Sequence, residues 1–176
     1  MTETEKLEYI RGLAKESSTM KFGRYHLIVN EKEYPFIFKD SVKSGFFAEL
    51  RGLSNWSFIQ CRDAIIRIDE RYENKNKGGG SIARSLIGGA LFGTAGAVIG
   101  GSGGGVQVGA LTRLNINIYS REKSSTVPVI QIPLVQQPQN IQSIYYQRNV
   151  DWVKLFIERT TEYGATLAGE ERKPNF

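Results

Sequence analysis

The chain has too few cysteine and histidine residues for most metal and disulfide chemistry. Among its 176 residues there is one cysteine, Cys61, and one histidine, His26. A single cysteine excludes an intrachain disulfide, and one Cys with one His cannot complete the ligand set of a structural zinc site. The sequence therefore predicts neither a metal site nor a disulfide framework, and no motif for a cofactor is present.

We also expect no secretory signal, because no apolar run follows the acidic residues near position 1. Together with the low cysteine content this predicts a cytoplasmic, reducing location. Peripheral contact with the inner face of the membrane stays open as an alternative.

Acidic residues are absent from the central part of the chain, between positions 74 and 121. Five basic residues lie there and account for the whole net charge of +5: Lys75, Lys77, Arg84, Arg113 and Arg121. A nucleic-acid binder more often spreads its cations along one face with aromatic residues between them. Salt-sensitive nucleic-acid binding through this basic flank is therefore kept only as a second alternative.

Charge of either sign is absent from the 28 residues between Arg84 and Arg113, and 13 of the 19 glycines lie between positions 78 and 109. Small residues recur there every four positions, in two series: Gly89, Gly93, Ala97 and Gly101, and Gly96 and Gly100. On a helix this spacing forms a flat stripe that another helix can approach closely. We expect residues 78–105 to form an inserted glycine-zipper hairpin, with these six residues as its self-association surface.

The apolar part of this segment, residues 86–101, is shorter than the roughly 20 residues that a membrane-spanning helix needs. Cations at both ends favour a hairpin whose two flanks stay on one side of a membrane. Packing against the protein's own domain, packing against a second copy, and shallow membrane contact all remain open. A P-loop is excluded, because no Lys-Ser or Lys-Thr follows any of these glycines.

The remaining sequence predicts a single domain, residues 1–176, in which a β structure is framed by two helices. Strands are expected at 24–30, 34–40, 57–62 and 64–72, within a first β part over 24–73. In a second β part over 106–135, Leu114, Ile116 and Ile118 alternate with polar residues, as in a half-buried strand. Pro128 and Pro133 favour an edge position for residues 126–135.

Helices are predicted at both ends of the chain. The first covers residues 4–17, with Thr4 as its N-cap and one apolar face. The second covers residues 149–163, with Asn149 as its N-cap and Trp152 on an apolar face that must dock on a sheet. Residues 169–176 are expected to be a mobile tail.

About six strands followed by an amphipathic helix are the order of a pleckstrin-homology-like (PH-like) fold, an α+β fold in which the helix plugs a bent antiparallel sheet or barrel. The glycine-rich run 82–101 is set between Ile66-Arg-Ile-Asp69 and Leu114-Asn-Ile-Asn-Ile118. This arrangement resembles a group of bacterial and prophage proteins in which a PH-like β domain is interrupted by a glycine-zipper hairpin. The resemblance covers residues 57–163 and implies a binding or scaffold domain with no family active site.

The residues themselves do not predict catalysis. His26 lies in an alternating strand, on the face opposite Leu27, without a partner motif for general-base chemistry. Cys61 is interpreted as a small strand residue, with a thiol activated by Arg62 as the lesser alternative. The adjacent carboxylates at 69–70 would point to opposite faces of a strand, and those at 170–171 lie in the tail. We expect no enzyme.

The sequence therefore predicts a non-enzymatic interaction or scaffold module that forms a homo-oligomer or makes shallow membrane contact. The alternative is a small phage or mobile-element protein that binds a host protein, such as a defence component, and inhibits or triggers it. The partner is thus expected to be a protein, either a second copy or a host protein.

Overall fold

The computed structural model describes residues 1–40, 56–73, 110–122 and 126–168. Its helices and strands are, in chain order, α1 (Glu3–Ser17), β1 (Ser18–Phe22), β2 (Tyr25–Asn30), β3 (Glu33–Lys39), β4 (Ser57–Gln60), β5 (Ala64–Tyr72), β6 (Leu111–Ser120), β7 (Ile130–Val135), α2 (Ile144–Glu162) and β8 (Thr166–Leu167). A short 3₁₀ turn, Cys61–Asp63, joins β4 to β5. The described residues thus form two sheets and two helices, which confirms the predicted α+β class.

The first sheet is an antiparallel meander with the strand order β1-β2-β3-β4. Gly23, at a φ of 56°, makes the tight turn between β1 and β2, because glycine adopts a left-handed conformation without steric cost. Leu27 pairs with Ile37 and Ile28 with Phe36, which fixes the register of β2 and β3. Both central strands therefore carry apolar side chains on both of their faces.

The second sheet has the order β7-β6-β5-β8, with antiparallel pairing except between β5 and the two-residue strand β8. β7 lies at an edge and contains Pro133, so the predicted edge position is confirmed for this strand. Ile116 and Ile118 are fully buried on one face of β6, as the alternation predicted. β8 is too short to have left a pattern in the sequence.

The main core lies where the inner faces of the two sheets meet α2. It contains Leu27 and Ile37 from the first sheet, Ile66 and Ile116 from the second, and apolar residues of α2. Trp152 of α2 reaches the first sheet, where its ring centroid lies 4.7 Å from that of Phe22. Burial of this many aliphatic side chains is the main source of stability for the fold.

A second, smaller core lies on the other face of the first sheet. Leu7, Ile10 and Ala14 share one face of α1, at the spacing of successive helical turns. They pack against Ile28, Phe36 and Phe38, which point away from the main core. α1 therefore covers the first sheet from outside, and both faces of that sheet are buried.

The N-caps predicted from the sequence were wrong, by two residues for α1 and by six residues for α2. α1 is capped by Thr2, not Thr4, in a capping box in which Thr2 and Glu5 bond each other's backbone N–H. α2 is capped by Ser143, not Asn149. Asn149 lies inside the helix and donates to Gln139 Oε1 at 3.1 Å. The first turn of α2 exposes apolar side chains, which hid its start from the periodicity.

The predicted hairpin at 78–105 and the tail at 169–176 lie outside the described residues. Among the residues that the structure does describe, no helix combines the length and apolar character needed to cross a membrane.

Candidate functional site

The antiparallel pair β5 and β6 forms a closed stem at the point where the chain enters and leaves the glycine-rich segment. Arg71 pairs with Arg113, and Tyr72 pairs with Leu111. One residue further, the backbone N–H of Glu73 donates to the carbonyl oxygen of Ala110 at 2.9 Å. The two ends of segment 74–109 are therefore held side by side on one end of the second sheet.

The return side of the stem is fixed to the body by a further pair of bonds. The N–H of Leu111 donates to the carbonyl oxygen of Gln139 at 2.9 Å, and the N–H of Gln139 donates back at 2.8 Å. The side chain of Leu111 is fully buried. Thr112 Oγ1 also donates to the carbonyl oxygen of Arg71 at 3.0 Å. The stem is thus an integral part of the folded body up to its last residues.

The outer face of the second sheet is the face turned away from the main core, and it carries polar and charged side chains together with Ile65 and Pro133. Arg113 Nη1 lies 3.4 Å from Asp69 Oδ2 in an ion pair across β5 and β6. The guanidinium carbon of Arg67 lies 5.6 Å from the ring centroid of Tyr119. α1 packs on the first sheet and α2 lies in the main core, so neither helix covers this face.

Two asparagines of β6 are unusual because they are buried on this outer face. Asn115 is 7% exposed and Asn117 is 8% exposed. Each accepts a hydrogen bond at Oδ1 from a glutamine, Asn117 from Gln131 and Asn115 from Gln136, both at 3.0 Å. These amide pairs connect β6 to its neighbour β7 and to the residue that follows β7. They also explain why asparagine alternates with isoleucine in β6.

The structure separates the predicted basic flank. Arg113 lies in the stem, opposite Arg71 and paired with Asp69. Arg121 follows the opposite end of β6, where it donates to Thr166 Oγ1 of β8. Since Arg121 follows Arg113 by eight residues of extended chain, the two arginines lie about 26 Å apart along the strand. Lys75, Lys77 and Arg84 lie outside the described residues.

The predicted self-association surface, formed by Gly89, Gly93, Gly96, Ala97, Gly100 and Gly101, lies outside the described residues as well. The structure gives the anchoring point of that surface, which is the stem, and does not describe the surface itself.

Cys61 is fully buried in the main core, at the turn between the two sheets. Burial raises the pKa of its thiol to about 12, because the thiolate would lose its hydration. The alternative that Arg62 activates this thiol was wrong. A thiol in this environment is neutral at physiological pH and has the character of a small core residue.

His26 lies on β2, on the α1 side of the first sheet, as the alternation with Leu27 predicted. It lines a cleft of about 500 Å³ between the second half of α1 and the β1–β2 hairpin. We call this the His26 cleft; its lining residues are Arg11, Ala14, Lys15, Ser18, Lys21, His26, Phe38 and Asp40. The sequence analysis missed the polar members of this set, because β1 follows α1 without a turn and was not predicted.

The cleft brings together a serine, the histidine and an aspartate, but not in the geometry of a hydrolytic triad. Ser18 Oγ donates to the carbonyl oxygen of Met20 at 3.1 Å, and both carboxylate oxygens of Asp40 accept from Arg11. A nucleophilic serine must instead donate its proton to the histidine. No group of His, Cys, Asp and Glu side chains suited to a metal ion occurs in the described part of the chain.

Comparison of the chain with protein-family models, with curated proteins and with solved structures finds no match in any of the three.

Proposed function

We propose that this protein is a non-enzymatic interaction module that presents its glycine-rich segment to a second copy of the chain. The same segment also supports a variant of this proposed function, in which it makes shallow contact with a membrane surface. The observation that carries the proposal is the closure of the stem at Glu73 and Ala110, where the backbone N–H and carbonyl oxygen are 2.9 Å apart.

Stem closure supports the proposal because both strands of the stem are held within the second sheet up to the point where the segment begins. β5 pairs with β8 as well as with β6, and β6 pairs with β7 as well as with β5. A long segment without acidic residues that leaves and re-enters the body at one point can be matched to a partner without any change to the strands that anchor it.

The architecture also supports kinship with PH-like domains, which remains part of the proposal. A four-stranded meander is followed by three consecutive antiparallel strands and then by α2, whose apolar face enters the core between the sheets. α1 and β8 are additions to that order. A PH-like body typically serves as a carrier and binding domain, which agrees with the proposed scaffold role.

A non-enzymatic role is supported by the state of two candidate nucleophiles, the cysteine of the main core and the serine beside His26. The Cys61 thiol is buried with a raised pKa, and the Ser18 hydroxyl donates to a backbone carbonyl. Neither group is prepared for nucleophilic attack.

The test is the molar mass of the protein by size-exclusion chromatography with light scattering. The intact chain is compared with a form in which residues 78–105 are replaced by a short Gly-Ser linker, which leaves the stem closed. We expect the intact chain to be an oligomer and the shortened form to be a folded monomer. Recovery with lipid vesicles that is lost on shortening would identify the membrane variant.

Point variants separate the small-residue series from the segment as a whole. Gly89→Leu combined with Gly93→Leu should dissociate the oligomer, because each leucine fills the stripe. Gly103→Leu, which lies outside both four-residue series, is the matched control and should leave the molar mass unchanged. The proposal would be contradicted if the intact chain and the shortened form were both monomers and neither of them bound vesicles.

A further inference from the structure

The described lining of the His26 cleft carries an excess of positive charge. Three cationic side chains, Arg11, Lys15 and Lys21, lie there together with one carboxylate, Asp40, among the residues that the structure describes. Its volume of about 500 Å³ lies within the range of small-molecule sites in proteins. The cleft is therefore large enough for a small organic anion, and its charge is of the sign that attracts one.

The one carboxylate is already engaged. Arg11 Nε donates to one oxygen of Asp40 at 2.9 Å, and Arg11 Nη2 donates to the other at 3.0 Å, which is a bidentate pair. This pair fixes the guanidinium at the wall of the cleft. It leaves the Nη1 hydrogens of Arg11 without a hydrogen-bond acceptor among the described residues.

The two lysines supply the uncompensated charge. Lys15 lies in the last turn of α1, Lys21 lies on β1, and both side chains are exposed. Neither has an ion-pair partner within the described ranges of the chain. Two ammonium groups from different elements thus line one concave surface beside a fixed guanidinium.

His26 adds a group that selects among anions. Its Nδ1 lies 3.3 Å from Ser18 Oγ, and that hydroxyl already donates its only hydrogen to Met20. The ring therefore donates from Nδ1, and in the neutral form Nε2 carries a lone pair. An anion can contact Nε2 only if a proton lies between them.

The neutral form of His26 is the one favoured in the empty cleft. Burial lowers the pKa of His26, Lys21 lowers it further, and Asp40 acts in the opposite direction. Arg11 and Lys15 are the remaining charged groups of the cleft and both come from α1. The proton that lies between Nε2 and a bound anion must therefore come from the ligand or be taken up with it.

We propose that the His26 cleft is a binding site for a phosphate monoester, held by Lys15, Lys21 and the Nη1 hydrogens of Arg11, with one proton shared between His26 Nε2 and a phosphate oxygen. A phosphate monoester is a dianion whose second ionisation lies near pH 6, so it supplies or shares that proton near neutral pH. Sulfate carries the same charge but has no proton to share in that range. The site thus prefers phosphate to sulfate, and the preference disappears when the pH falls far enough to protonate His26.

The single histidine makes the experiment direct, because its ring gives one assignable signal in a proton NMR spectrum of the full chain. The chain is titrated with inorganic phosphate and with glycerol 3-phosphate, and separately with sulfate. We expect a saturable shift of the His26 signal with both phosphates, a rise in the pKa of His26 on binding, and weaker binding of sulfate at pH 7. Lys21→Ala should weaken phosphate binding about tenfold or more, the loss of one hydrogen bond to a charged group.

Lys32→Ala is the matched control. Lys32 lies in the turn at the other end of β2, so this variant removes the same charge without touching the cleft. Phosphate affinity should be unchanged in this variant. An equal loss in Lys21→Ala and Lys32→Ala would overturn the proposal, since it would show only a general effect of net charge. No response of the His26 signal to either phosphate or to lipid phosphate would also overturn it.

Vesicles containing phosphatidic acid form a further arm, because a lipid headgroup carries the same phosphate monoester chemistry. If the soluble phosphates bind and the vesicles do not compete with them, the site is assigned to a free ligand. If the vesicles do compete, and this competition is lost in Lys21→Ala but kept in Lys32→Ala, the site is assigned to a lipid headgroup. The self-association test does not involve these residues, so the two proposals fail independently.

Discussion

The two sheets of this protein differ in what covers their faces. The first sheet has the main core on one side and α1 on the other, and three successive residues of β3, Phe36, Ile37 and Phe38, are buried. The second sheet has the main core on one side only. Its other side carries arginines, an aspartate and the paired amides of Asn115 and Asn117.

This difference shows how the two faces of a strand are recorded in its sequence. A run of consecutive apolar residues within one strand indicates a second layer beyond the sheet, and here that layer is α1. Alternation of apolar and polar residues along a strand indicates a sheet with only one face buried in a core. The stem belongs to this second sheet, so the chain enters and leaves the glycine-rich segment from the sheet whose outer face no described helix covers.

The largest expected effect tests whether the outer side of the first sheet is a true core. Phe38→Ala should lower the free energy of unfolding by about 3–5 kcal/mol, because it leaves a cavity under α1. Urea denaturation measures this directly. Arg67→Ala, on the outer face of the second sheet, is the control and should change stability by no more than about 0.5 kcal/mol. A similar loss of stability in both variants would show that the outer faces of the two sheets do not differ in burial.

The next effect concerns the buried amides of the second sheet. Gln131→Ala should cost about 1–2 kcal/mol, because it removes the hydrogen-bond partner of a buried asparagine, Asn117. Replacement of both Asn117 and Gln131 by valine should restore most of that loss, since no polar group is left unpaired. A double-mutant cycle measured by urea denaturation gives both values. Additive costs in the cycle would show that the two amides do not act as a pair.

A smaller effect tests how α1 is held on the first sheet. Thr2→Ala should cost about 1 kcal/mol, because it removes the side chain that bonds the N–H of Glu5 in the capping box. Thr4→Ala, at the position that the sequence suggested as the cap, should cost nothing. The helical signal in circular dichroism and the urea midpoint are the measurements, and a larger loss in Thr4→Ala would contradict the assigned cap.

The smallest effect is the pH dependence that His26 contributes. Its pKa in the folded protein is lowered from 6.5, so the unfolded chain binds the proton more readily. Its contribution to stability is therefore complete above pH 6.5 and is lost as the pH falls through the folded pKa. In phosphate-free buffer, His26→Gln should remove this decline. A histidine contribution that grows on acidification would show that the pKa is raised instead.

The sequence predicted those elements whose apolar pattern is regular. β6 alternates cleanly, β7 carries a proline that only an edge tolerates, and α1 has one apolar face. β1 was missed because Ser18 follows the last residue of α1 directly, without glycine or proline to mark a boundary. The start of α2 was missed because Ile144 and Tyr145 are exposed apolar residues, which break the periodicity.

The candidate sites show the same limit. The glycine-rich segment is recognised from composition alone, but its anchoring depends on the register of β5 and β6, which composition does not contain. The His26 cleft combines α1, β1, β2, β3 and the residue after β3. Arg11 and Lys15 are four residues apart and so share one face of α1. That spacing is the only trace of the cleft in the sequence, and it gains meaning only once β1 is placed beside it.

The separation of the two cores by the first sheet has a consequence for motion. α1 can lift from Phe36 and Phe38 while the contacts among the sheets and α2 stay closed, because the two sets of buried residues share no member. The chain holds one reporter for each event: the His26 ring beside α1, and the Cys61 thiol in the main core. Thiol labelling thus times the opening of the sheets, and the imidazole signal times the departure of the helix, so local and global unfolding can be followed in one chain without any substitution.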